Sequence, residues 1–96
     1  HRAHQVRLDA TTQTDVIVVE IPIENGALCA GKQVSEVQWP HGCILSSVQR
    51  GRRVFVPRGD TVLQTGDILV AVTESEIDQE LLQLCKKRRN HDAGSE

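Results

Sequence analysis

Apolar residues fall along this chain in short β-dense runs broken by glycine, proline and aspartate, and only one stretch carries a helical period. "HRAHQVRLDATTQT" at 1–14 is polar and without period, whereas "DVIVVEIPI" at 15–23 gathers β-branched residues and predicts a first strand. Pro22 has no N–H to give a ladder, so it belongs at that strand's edge or end. "ENGALCAGKQVSEVQWP" places Leu28, Val34 and Val37 where one short helix would bury them, and Pro40 forces Trp39 out of helical conformation. "GCILSSVQR" and "RVFVP" are β-rich runs separated by Gly51 and Arg52, the mark of a tight hairpin with glycine at positive φ. After Pro57 the chain turns at "RGDT", passes through Val62 and Leu63, turns again at "QTGD", and enters "ILVAV", which predicts a central strand filled on both faces. Thr73 and Glu76 form a capping box, and Ile77, Leu81, Leu84 and Cys85 share a face at helical spacing, so a helix is expected to begin near Glu74. "KKRR" at 86–89 complements the negative end of that helix's dipole.

The predicted order is β, short α, β, β, β, α. This is an α+β class, a small and mostly antiparallel four-stranded sheet or pseudo-barrel spanning 15–86. A flexible flank is expected at 1–14 and a polar tail at 87–96. Leu63, lying between two turns where an exposed loop has no use for leucine, is expected in the core, and Gly66 at positive φ.

Length makes the core thin. A chain of 96 residues forms one domain and buries only roughly 60 to 65% of its unfolded surface. Trp39 and Phe55 are its sole aromatics, so the core must be built from Val, Ile and Leu. A net charge of −2 and two aromatics supply neither the field nor the stacking platform for a nucleic-acid polymer. There is no methionine, so His1 is not a natural translation start and the chain reads as a piece of a longer protein. The longest apolar run, Val16 to Ile23, contains Glu20 and falls far short of the ~20 residues of a membrane span. Cys29, Cys43 and Cys85 are an odd count without zinc-type pairing, which points to a reducing compartment, by default the cytoplasm.

Candidate chemistry is sparse. In Gly59-Asp60 and Gly66-Asp67 each glycine can take the left-handed conformation of a turn and each aspartate can accept backbone N–H groups, so both pairs read as structural turns. His41 and Cys43, with Cys29 as a third ligand, lack the second closely spaced pair of a zinc site, and no metal is expected. A Cys-His hydrolase lacks a marked orienting group and oxyanion hole, so an enzyme is the weakest class. Arg50, Arg52, Arg53 and Arg58 lie on or beside one hairpin, and forked guanidinium donors suit phosphate and carboxylate. They read either as a solvated hairpin tip or, with His41, as the site of a small anionic or nucleotide ligand.

The stretch "LCAGKQVSEVQWPHGCILSSVQRGRRVFVPRGDTVLQTGDILVAVTES", with its arginine-rich hairpin and Pro-x-Gly-Asp-Thr-x-Leu-x-x-Gly-Asp turn, resembles the RCK C-terminal or TrkA-C domain. The wording "WPHGCILSSVQRGRRVFVPRGDT" is most similar to copies appended to bacterial chloride-channel-type transporters, with potassium-uptake regulators and cation antiporters as further relatives. The resemblance implies a regulatory module on the cytoplasmic side of a membrane ion channel or transporter. It would commonly form a homodimer, partner the parent's transmembrane part, and in some cases bind a small anion. The chain has no glycine-rich nucleotide fingerprint, so no dinucleotide cofactor is carried over. A ligand-sensing domain, a purely structural dimerisation module and a free-standing binding protein stay open. Dimerisation has its own argument, since strands with apolar residues on both sides and two short helices leave apolar surface uncovered.

Overall fold

The computed structural model describes residues 16–74 and 79–88. Strand β1 (Ile17–Pro22) alternates buried and half-buried positions and ends at Pro22, as a residue without an N–H requires. Strand β2 (Cys43–Arg50) and strand β3 (Arg53–Phe55) form a hairpin in which Arg50 faces Arg53 across a two-residue loop. Gly51 has φ +60° and Arg52 is not at positive φ, which makes the loop a type II′ turn, matched to strand twist. Strand β4 (Ile68–Thr73) lies between β1 and β2, giving the antiparallel order β1-β4-β2-β3. The expected central strand is therefore central.

Register sorts the side chains into two faces. Ile21, Leu69, Val48 and Phe55 form one inner row, Val19, Ala71 and Leu45 the next, and Ile17, Thr73 and Cys43 the last. These rows carry half of the buried apolar core, which Ile23, Ala27, Cys29, Leu63, Leu81 and Cys85 complete from outside the sheet. Ser46 is the extra residue of a bulge between Leu45 and Ser47, and its hydroxyl donates to the Val70 carbonyl at 3.0 Å. Helix α1 (Gln79–Cys85) closes the inner face with Leu81 and Cys85. Thr73 ends β4, while Glu76 and Ile77 of the expected cap lie outside the described residues.

The short helix differs from expectation. It is a single 3-10 turn, Val34–Glu36, capped by the Glu36 carboxylate accepting from Gln33 N at 2.7 Å, and Leu28 stands outside it, 38% exposed. The reason lies in the backbone partners of 27–33. Cys29 N donates to Leu84 O at 3.1 Å, Gly31 N to Leu63 O at 2.7 Å, and Leu63 N to Lys32 O at 2.9 Å. Groups a helix would pair locally are spent on distant segments, with Gly26 and Gly31 at φ +86° and +83° making the bends. Of the expected tail, Lys87 bridges Ala27 and Arg88 N donates to Gly26 O, whereas 89–96 and the flank 1–14 lie outside the described residues.

Candidate functional site

The second Gly-Asp pair is built as a turn with one further duty. Asp67 N donates to Gln64 O at 3.0 Å across a four-residue turn whose third position, Gly66, has φ +93°, as type II geometry demands. Asp67 then continues the inner face of β4 one step beyond Leu69, where Arg50 stands one step beyond Val48. Arg50 Nε donates to Asp67 Oδ1 at 2.9 Å and its Nη2 to Oδ2 at 2.8 Å, while Gln64 N donates to Oδ2 at 2.9 Å. The same Nη2 also donates to Val62 O at 2.9 Å, lacing the hairpin to the 62–67 segment. Asp67 is buried to 2% exposure of its side chain against 29% for Arg50. The hydrogen bonds to Asp67 hold the Arg50 guanidinium above its already high ordinary value.

The first Gly-Asp pair is simpler. Thr61 N donates to Arg58 O at 3.1 Å and Thr61 Oγ1 accepts from Arg58 N at 2.8 Å, so threonine, not the exposed Asp60, supplies the side chain that fastens the turn. Gly59 is not among the described glycines at positive φ, in contrast to the sequence reading. Its carbonyl accepts from Ser35 N at 2.9 Å, docking the turn on the 3-10 segment.

Of the four candidate arginines, Arg50 is held by Asp67 and the other three are exposed, Arg53 with its guanidinium over an aromatic ring. Arg50 and Arg53 flank the Phe55 ring, each 5.1 Å from its centroid, a cation–π arrangement on the inner side of the hairpin. Arg52 at the tip, Arg53 and Arg58 are exposed, whereas Arg50 already serves Asp67. His41 precedes β2 and stands at the other end of that strand from the hairpin, about 25 Å away at ~3.3 Å per residue, so it does not join them. Sequence reasoning missed the Arg50–Asp67 pair because the partners are 17 residues apart and meet only through the β2–β4 register. It also missed an open groove of about 470 Å³ between the 25–31 and 62–65 turns, with Arg88 on its rim. Among the described residues no three His, Cys, Asp or Glu are grouped to hold a metal, and no helix is long and apolar enough to cross a membrane.

An antiparallel sheet with its last strand inserted centrally, entered through a glycine turn and locked by an ion pair to a buried aspartate, defines a small non-Rossmann α+β module. The chain belongs to the TrkA-C domain family, whose profile matches residues 18–86 and so reaches through α1. It is 37% identical over 67 residues to the Trk system potassium uptake protein TrkA of Mycobacterium tuberculosis, covering 70% of this chain and 30% of that one. A Trk system potassium uptake protein TrkA homolog of Archaeoglobus fulgidus is 32% identical over 68 residues, 71% of this chain and 15% of the relative. The chain thus spans less than a third of the length of these relatives.

Proposed function

We propose that this domain is a cytoplasmic, dimer-forming regulatory module of a membrane ion-transport system, and that the system moves potassium. The observation that carries this reading is family membership over 18–86 together with relatives named as potassium uptake proteins. Those names favour potassium over the chloride-channel type of parent that the wording of 39–61 brings to mind. A regulatory role accords with a surface of turns and guanidinium groups rather than a site with nucleophile, base and orienting group.

Dimerisation rests on the outer face of the sheet. Its rows are Val18, Val72 and Ile44, then Glu20, Val70 and Ser47, then Pro22, Ile68, Gln49 and Val54. Ile44, Val54 and Val56 are exposed by 68, 67 and 75%, and nothing in the described chain covers them. A second copy related by a two-fold axis would cover this face, the commonest solution for such a patch.

For a ligand, Arg52, Arg53 and Arg58 offer an anion three exposed guanidinium groups, with Arg50 holding the hairpin in place. The competing reading, a structural dimerisation module without a ligand, is favoured by one fact: the best-positioned arginine is committed to Asp67. The test is potassium uptake by cells carrying the complete parent gene, intact, deleted for this domain, or with Arg52, Arg53 and Arg58 replaced by alanine. Regulation predicts altered uptake on deletion. Sensing predicts that the triple variant loses the response while retaining the dimer, and unchanged uptake on deletion contradicts the regulatory role.

A further inference from the structure

Cys29 and Cys85 are both fully buried and meet where the 24–29 turn is tied to the end of α1. Two backbone bonds fix that junction: Cys29 N donates to Leu84 O at 3.1 Å, and Glu24 N donates to Cys85 O at 2.7 Å. Because Leu84 immediately precedes Cys85, the first of these holds the two cysteine backbones side by side, the arrangement a disulfide needs. The strongest electrostatic influence on each thiol is the other. Neither the candidate ligand site nor the outer sheet face uses them.

We infer that Cys29 and Cys85 are a latent disulfide that, once formed by exchange with a small-molecule disulfide, staples α1 to the 24–29 turn. The neighbouring Cys85 lowers the Cys29 thiol from its ordinary range, while Cys29 and burial push the Cys85 thiol up. Cys29 is therefore the first nucleophile and Cys85 the resolving thiol. The Cys29 thiolate attacks one sulfur of RSSR, forming a mixed disulfide and releasing one RS⁻, which takes up the Cys29 proton. Cys85 sulfur then attacks Cys29 sulfur, the second RS⁻ leaves and takes the Cys85 proton, and the sum is one protein disulfide and two RSH. Local opening of α1 admits the reagent. The helix is seven residues long and, among the described residues, is fastened by Leu81, Leu82, Cys85 and two backbone bonds, so it belongs to the easily opened part of the fold. The bond would close a long loop that takes in β2, β3, β4 and most of α1 and leaves β1 outside, and long loops are the case in which a cross-link restricts the unfolded chain most.

The test uses the reduced chain incubated with oxidised glutathione, followed by intact mass, thiol counting and peptide mapping. The expected product has lost about 2 Da, keeps one of its three free thiols, shows a Cys29–Cys85 peptide and melts ~10 °C or more higher. Cys43→Ser should oxidise in the same way and keep no free thiol, whereas Cys29→Ser and Cys85→Ser should accumulate glutathione adducts without the internal link. The wild-type map stands by itself if a serine variant fails to fold. Three thiols persisting after the urea-unfolded chain has oxidised, a link through Cys43, a bond between two chains, or an unshifted melting point would each overturn the inference.

Discussion

At Asp67 a carboxylate with 2% of its side chain exposed is held by a guanidinium fork and one backbone N–H, so its stability contribution depends on every donor staying in place. Arg50→Ala leaves that charge buried and unpaired, and should cost about 3 kcal/mol in chemical denaturation. Arg50→Lys should recover only part of the loss, because an ammonium cannot reproduce the fork. A loss under about 1 kcal/mol would mean that water reaches Asp67. Leu63 is fully buried with both backbone groups bonded, and Leu63→Ala should cost about 2 to 4 kcal/mol in the same assay. Gly66→Ala puts a Cβ at φ +93°, and a cost of about 1 to 2 kcal/mol follows from conformation alone, since nothing lies within 4 Å of the added atom. Leu63 and Gly66 were legible in sequence because each follows from local chemistry, an apolar residue between turns and a glycine where a turn needs it. The engagement of Arg50 was not, because a guanidinium on a hairpin is the same in sequence whether a phosphate or a distant aspartate receives it.

Among the elements, the four strands were legible from β-branched density and from the Gly51 hairpin, and the short helix was misread for a physical reason. Val34 and Val37 have helical spacing and Leu28 precedes them by six residues, but the two glycines between Asn25 and Lys32 let the backbone bend to partners in α1 and at Leu63. Local periodicity carries no record of such bonds. The docking of α1 leads to its own prediction. Leu81→Ala removes a fully buried side chain from the helix's inner face, so the helix should open more often. The amides of Glu24 and Cys29, whose acceptors are the Cys85 and Leu84 carbonyls, should then exchange with deuterium at least tenfold faster. Val19 and Ala71 amides, in the central ladder, should change much less. Equal acceleration throughout would mean that helix and sheet open as one unit.

For the whole molecule, a thin core and a sheet with apolar residues on both sides lead to the same conclusion. The inner face is closed by α1 and the 23–34 and 61–63 segments, while the outer face keeps Ile44 and Val54 open across the width of β2 and β3. That both faces would be apolar was legible from strand composition. Which face stays uncovered was not, because it depends on the side to which the helix returns. Replacing both residues with glutamate, Ile44→Glu with Val54→Glu, places charge on the open face and leaves the inner rows untouched, so the variant should fold with near wild-type circular dichroism. Sedimentation equilibrium at micromolar concentration, comparing this variant with the wild-type chain of 10.6 kDa, decides whether the outer face pairs two copies. A dimer through the outer face gives about twice the chain mass for the wild type and the single-chain mass for the variant. A wild-type monomer, or a variant that remains a dimer, would contradict it.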